Sequence, residues 1–374
     1  MLRTLPSFLQ KSCIDLIRPR PTRGRPTVSS PHPDEALLRL LDDGHARAVA
    51  TGPAQVSLWT AVRVAADGGK RFRPALVVAA HDTLGGGRPE AAAEVAAAVE
   101  LLHTAFVIHD DVIDGDDVRR GRLNVSGTYS AQAIADGAAA DDAAGLGRAA
   151  GILAGDLALA AAIRAVATCG APPDVVHRLL DLFDDALHTT ACGELADVRH
   201  ALHPGTADLQ DSLRMEEQKT SIYSFALPLQ LGAVLADADA TTTARLGDAG
   251  RLLGAAFQLL DDLLGVFGDP ALTGKSTTGD LRTRKQTPLL VHASATPEWA
   301  DLSGYVGRDL TSEELVEARR LLTACGSRAF VEEMIEARLA EARAILETLD
   351  VADGLLPVVD ACVPVSAPGD EVAA

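Results

Sequence analysis

Aromatic residues make up only 3% of this chain, two tryptophans, three tyrosines and eight phenylalanines among 374 residues. Runs of Val, Ile and Tyr alternating with polar residues are missing, which argues against strand-rich and α/β folds. The five cysteines, at 13, 169, 192, 325 and 362, form no CxxC pair. Their odd count and wide spacing fit reduced thiols in a cytoplasmic protein rather than a disulfide framework. No apolar stretch reaches the roughly 18 uncharged residues that a membrane span needs. Positive charge is also short: the net charge is −18, the wrong sign for a general nucleic-acid binder. It leaves room for an anion in a local basic pocket. Lysine is scarcest of all, five residues beside 29 arginines (34 basic residues in total), yet Lys70, Lys219, Lys275 and Lys285 all fall in the motifs below.

What is abundant is helix. "EALLRLLDDGHARAVA" (35–50), "AAAEVAAAVELLHTAFVIHD" (91–110), "RAAGILAGDLALAAAIRAVA" (148–167) and "ARLGDAGRLLGAAFQLLDDLLGVF" (244–267) repeat apolar residues at i, i+3, i+4 and i+7, the helical period. Gly/Pro/Asp clusters separate them. No repeat of fixed period and no interdomain linker is visible. The expected organisation is one all-α domain over 35–362. A basic tail precedes it (1–34), in which Lys11 and Asp15 break the apolar run that a signal peptide would need. A polar tail follows it (363–374).

Five aspartates occupy eight positions, 110–117, at the end of a segment otherwise suited to a core. On a helix Asp110 and Asp114 share a face, with Asp111 beside them. Crowded carboxylates repel, and a divalent cation relieves the repulsion; ligands that are all oxygen suit Mg²⁺. The bland alternative is a solvated acidic loop in which Asp116 and Asp117 cap a later helix. A second pair, Asp261 and Asp262, weighs against it, because apolar residues flank it on both sides. Helical bundles commonly build metal sites from such facing pairs.

The basic residues fall in matching places. "GGKRFRP" (68–74) offers Lys70, Arg71 and Arg73 in a glycine-led turn. Arg119 and Arg120 follow the first acidic segment, Lys219 and Thr220 open another apolar run, and Lys275 and Lys285 lie in "TGKSTTGDLRTRKQTP". None has Walker spacing. Cations acting directly and carboxylates acting through metal both suit a diphosphate.

Five ordered motifs, "GGKRFRP", "HTAFVIHDDVIDGDDVRRG", "GDLAL", "KTSIYSFALPLQLG" and "FQLLDDLLGVFGDPALTGK", make the chain resemble the trans-isoprenyl diphosphate synthases (polyprenyl synthetases) over about 35–350. The last motif is closest in style to actinobacterial geranylgeranyl diphosphate synthases. The resemblance implies an isoprenoid-synthase-type helical bundle with a central active-site cavity, a homodimer, and three Mg²⁺ held by the two acidic motifs, which face one another. It implies Asp110, Asp111 and Asp114 as metal ligands on one side, and Asp261 supported by Asp262 on the other. Lys70, Arg73, His103 and Arg120 would hold isopentenyl diphosphate. Arg119, Lys219, Gln258 and Lys275 would hold the allylic diphosphate, with Thr220 near the reacting carbons. The implied product is C15–C20, geranylgeranyl diphosphate favoured over farnesyl diphosphate; Ala105 and Phe106, just below Asp110, would set its length. Two departures stand out. Gly265 replaces the family's third carboxylate of the second motif, and Arg284 stands where a glycine usually precedes Lys285. The competing readings are a terpene cyclase on the same fold, which has no need of "GGKRFRP" with His103, and a noncatalytic partner subunit, which tends to lose the acidic motifs.

Overall fold

A computed structural model describes residues 32–202, 208–268 and 279–362. Lys275 and nearly all of both expected tails lie outside the described residues. The described chain is all-α apart from one two-stranded hairpin. By contacts it groups into two compact units, residues 32–183 with 231–239, and residues 184–230 with 240–362.

In the first unit, α1 (Pro33–Thr51), α2 (Pro53–Ala65), α3 (Phe72–Thr83) and α4 (Pro89–Asp114) come first. Pro33, Pro53 and Pro89 each sit in the first turn of a helix, where the missing N–H costs nothing. The hairpin β1 (Val118–Arg119) and β2 (Arg122–Leu123) follows, then α5 (Val125–Ala135), α6 (Ala140–Ala167) and the start of α7 (Pro173–Leu202). The centre is α4: Val95, Val99, Leu101, Leu102 and Ala105 are fully buried where α1, α3 and α6 pack on it. Trp59 of α2 donates its indole N–H to the Leu41 carbonyl at 2.7 Å, and its ring lies so close to Gly44 that a Cβ there would overlap it. α4 and α6 are both long and apolar enough to cross a membrane. For α4 burial in the protein accounts for this composition. α6 is less covered: Leu146, Ile152, Leu153 and Ile163 are exposed.

The second unit holds the end of α7, α8 (Leu209–Glu216), a π-helical segment Glu217–Ala226, the start of α9 (Leu227–Leu235), α10 (Ala240–Phe267), α11 (Gly279–Thr283), α12 (Pro288–Ser294), α13 (Trp299–Leu302), α14 (Ser312–Ala324), α15 (Ser327–Thr348) and α16 (Ala352–Cys362). Thr311 and Glu314 form a capping box at the start of α14, and Thr287 caps α12, each supplying acceptors to orphan N–H groups. α10 is the axis of this unit. Its glycines 247, 250 and 254 are the places where Gln230, Ala226 and Ser221 come so close that a Cβ would overlap them. The wide π segment is thereby seated against α10.

Candidate active site

The first acidic segment closes α4. Gly115, at φ 71°, ends the helix directly after Asp114, a left-handed position that favours glycine. The carboxylate oxygens of Asp110 and Asp114 lie within 4.8 Å of one another, close enough for one cation to bridge. Asp110 is half-buried and Asp114 exposed, whereas Asp111 is buried. Arg119 Nε donates to Asp111 Oδ1 at 2.6 Å and its Nη2 to Asp110 Oδ2 at 3.0 Å. Burial raises the Asp111 carboxyl above its usual range, with Arg119 opposing. Asp116 and Asp117 do not cap the next helix: Asn124 does, its Oδ1 accepting from Gly127 N at 2.8 Å.

Arg119 and Arg120 are aimed by the hairpin. Arg120 (φ 53°) and Gly121 (φ 71°) both take left-handed backbone, the two-residue turn whose twist matches paired strands. Arg120 then lies over the glycine-led loop, its guanidinium 3.5 Å from where a Cβ on Gly68 or Gly69 would stand. The loop glycines have φ of 82° and 88°. Arg71 is internal to the fold rather than available to a ligand. It donates to Glu100 Oε1 at 2.5 Å and to the Ala66 carbonyl at 2.7 Å. Lys70 is exposed and Arg73 buried, its guanidinium over the Phe72 ring at 4.4 Å.

His103 faces this group. Burial, then the charges of Arg73, Arg120, Arg119 and Arg71, push its imidazole well below its ordinary value. Burial thus disfavours charge on His103 first, and the neighbouring guanidinium groups add to it, an environment in which an anion is favoured. Beside it opens a cavity of about 320 Å³. Val64, Val107, Ile108 and Leu123 give it apolar walls, and Arg119 and Arg120 border it. Of the two residues assigned to product length, Ala105 is fully buried and Phe106 half-buried.

The second acidic segment lies in α10. Asp261 is half-buried and Asp262 almost fully buried. Gln258 Nε2 donates to Asp262 Oδ1 at 3.0 Å, and Lys285 Nζ stands 3.7 Å from the same oxygen. Asp262 Oδ2 and Glu216 Oε1 are buried, and neither receives a backbone or side-chain N–H. Burial, then the charge of Asp262, raises the Glu216 carboxyl well above the glutamate range. Burial raises the Asp262 carboxyl as well, with Lys285 opposing, so the two acids and the ammonium form one interacting group. The Asp262, Asp280, Asp197 and Glu216 carboxyls together hold Lys285 above the ordinary lysine value despite its burial. Lys285 is thus the internal counter-ion of this acidic group. Arg284, before it, takes left-handed backbone at φ 57°. That is the reason a glycine suits this position.

Lys219 lies in the π segment and pairs with Glu194 at 3.1 Å and Asp197 at 2.7 Å. A Cβ on Gly193 would overlap the Lys219 backbone N, so α7 and the π segment meet backbone to backbone. Thr220 is half-buried next to it. Gln258, Asp261, Asp262, Lys219 and Thr220 therefore share the second unit, and Lys70, Arg73, His103, Asp110, Asp111, Asp114, Arg119 and Arg120 the first. Glu216 and Asp280 were missed by sequence reasoning. The partners that give each its place, Asp262 for Glu216 and Gly265 for Asp280, lie on another helix.

The polyprenyl synthetase family model matches residues 57–321. A geranylfarnesyl diphosphate synthase of Aeropyrum pernix is 31% identical over 76% of this chain and 85% of its own length. A geranylgeranyl diphosphate synthase of Mycobacterium tuberculosis is 38% identical over 63% of this chain and 62% of its own. The crystal structure of geranylgeranyl pyrophosphate synthase from Corynebacterium glutamicum, complexed with isoprenyl diphosphate and magnesium, superposes with a TM-score of 0.80. It is 29% identical and covers 88% of this chain and 98% of its own. On these matches the chain belongs to the polyprenyl synthetase family and is a prenyltransferase with the isoprenoid synthase fold.

Proposed function

We propose that the chain condenses isopentenyl diphosphate head to tail (1′-4) with allylic diphosphates, in the presence of Mg²⁺, to an all-trans product of C15–C20, with geranylgeranyl diphosphate favoured over farnesyl diphosphate. The observation that carries this reading is geometric: Arg119, Arg120 and His103 line one cavity, a ready site for one diphosphate, and Arg119 binds the carboxylates of the first acidic segment, where Asp110 and Asp114 stand close enough to share a cation. A terpene cyclase needs no such second anion site.

The oxygen donor sets at Asp110/Asp114 and Asp261/Asp262 fit a hard divalent cation, and three ions per active site is the reading adopted. Magnesium, when bound, neutralises charge on the departing diphosphate. Asp110, Asp111 and Asp114 would hold it on one side and Asp261, supported by Asp262, on the other; Asp111 also fixes the Arg119 guanidinium. Arg119, Lys219, Gln258 and Lys275 grip the allylic diphosphate and draw off charge as its C–O bond breaks. Lys70, Arg73, His103 and Arg120 anchor isopentenyl diphosphate so that its double bond attacks the allylic carbon. A C–C bond forms, and the proton lost from the new chain leaves with the diphosphate. Thr220 lies near the reacting carbons. Exclusion of water protects the cation from quenching.

The same reading covers assembly and place. The exposed apolar face of α6 supports a homodimer, the two units work as one prenyltransferase domain over 35–362, and the enzyme is cytoplasmic. The deciding assay supplies purified protein with Mg²⁺, isopentenyl diphosphate and a C5, C10 or C15 primer, followed by product sizing. Chains of 15–20 carbons are expected. A cyclised hydrocarbon, or no elongation with any primer, would overturn the reading.

A further inference from the structure

The second acidic segment lacks a carboxylate at position 265, and the structure shows what stands there. Position 265 is four residues beyond Asp261 on α10, so its side chain would leave the helix on the same face. A Cβ built on Gly265 would overlap Asp280 Oδ2, with Asp280 Cγ at 3.3 Å. The space where a third carboxylate would begin is occupied by a carboxylate from α11. The Asp280 backbone carbonyl accepts from Lys285 N at 3.1 Å, so one short turn carries both the carboxylate and the counter-ion back to α10. Asp262 Oδ2 lies in this group without an N–H donor.

We propose that Asp280 supplies, from the neighbouring helix, the third carboxylate of the second acidic segment, and that Gly265 is the vacancy that admits it. The proposal rests on the reading of Asp261 and Asp262 as holders of a divalent cation. Asp280 then completes an oxygen cluster that a DDxxG sequence alone leaves one carboxylate short.

Two variants press on the idea from opposite sides. Asp280→Asn removes the charge and keeps the shape. Gly265→Ala keeps every carboxylate but puts a methyl group where Asp280 Oδ2 lies, and alanine favours the helix. Each is compared with the parent chain by Mn²⁺ titration in the presence of inorganic pyrophosphate, read by the electron paramagnetic resonance of free Mn²⁺. Both should weaken Mn²⁺ binding about 10-fold or more, the usual effect of losing a supporting group around a metal. The double variant Gly265→Asp with Asp280→Ala, which empties the space beside position 265 and returns the carboxylate to α10, should recover most of the loss. Circular dichroism confirms folding, and Gly265→Ala carries the test alone if Asp280→Asn does not fold. Parent-like Mn²⁺ binding in Gly265→Ala and in any folded Asp280→Asn would overturn the proposal, as would a double variant that binds no better than Asp280→Asn. Asp261→Ala separates the two levels: if it too binds Mn²⁺ like the parent, the metal reading of the segment fails and not merely the part given to Asp280.

Discussion

Arg119 grips Asp111 through Nε at 2.6 Å while its Nη2 reaches Asp110 at 3.0 Å. One planar guanidinium thus spans two neighbouring carboxylates of the first acidic segment. It fixes the buried one and leaves Asp114 at the open end of the helix. A lysine cannot make both contacts, because it presents a point charge instead of a fork.

Arg119→Lys should therefore lower kcat/KM by about 10- to 100-fold, the equivalent of losing one or two charge-assisted hydrogen bonds. Steady-state kinetics with a C10 primer measures it. A rate within twofold of the parent would mean that charge alone is required at this position.

Asp110→Ala and Asp261→Ala should each cut kcat by about 10³-fold, the scale on which single charge-stabilising groups act at developing anions. The helical circular dichroism should persist, since both side chains are only half-buried. Near-normal turnover in both would refute their role with metal.

Phe106 lies four residues before Asp110, about 6 Å lower along the helix axis, and is half-buried. Phe106→Ala should lengthen the product by at least one isoprene unit. Product chromatography decides, and an unchanged length would return Phe106 to the core.

His103 sets a pH dependence whose sign can be worked out. Its folded value lies below its ordinary one, so the unfolded chain binds this proton more readily. The resulting stability is fully present above the ordinary histidine value of about 6.5, and is lost as pH falls below it towards the folded value. His103→Gln should flatten the decline of unfolding free energy between about pH 7 and about pH 5. Urea titrations at both ends test this, and an undiminished decline would show that other groups cause it.

Arg284 pays a backbone cost at φ 57°, about 1 kcal/mol for a residue with a Cβ. Arg284→Gly should raise stability by up to about that amount and the midpoint of thermal unfolding by a few degrees. A lowered midpoint would show that the Arg284 side chain, packed against Gly307, matters more than its backbone.

Much of this was legible from residue order. The helices expected over 35–50, 91–110, 148–167 and 244–267 fall inside helices that run a few residues further at one end or both, because their apolar period reflects one buried face. The motifs pointed to the right family. What stayed hidden depends on contacts distant in sequence. Arg71 sits in the same motif as Lys70 and Arg73, and only the buried Glu100 reveals that it serves the fold. Glu216 lies two residues before Gln218 in an unremarkable polar run, and only the fold shows that it is buried beside Asp262, on another helix, which raises its carboxyl. The π segment had no local signal, although Gly247, Gly250 and Gly254 at helical spacing hinted that something approaches α10 closely. Gly265 read as a missing ligand because Asp280 enters from a separate helix.

The π segment also constrains how this sequence can change its length. A π turn carries more residues than an α turn. Deleting one residue between Lys219 and Ala226 would let the segment tighten, turning Lys219 by about 100° about the axis and away from Glu194 and Asp197. A one-codon loss here would reset the angular register of everything upstream.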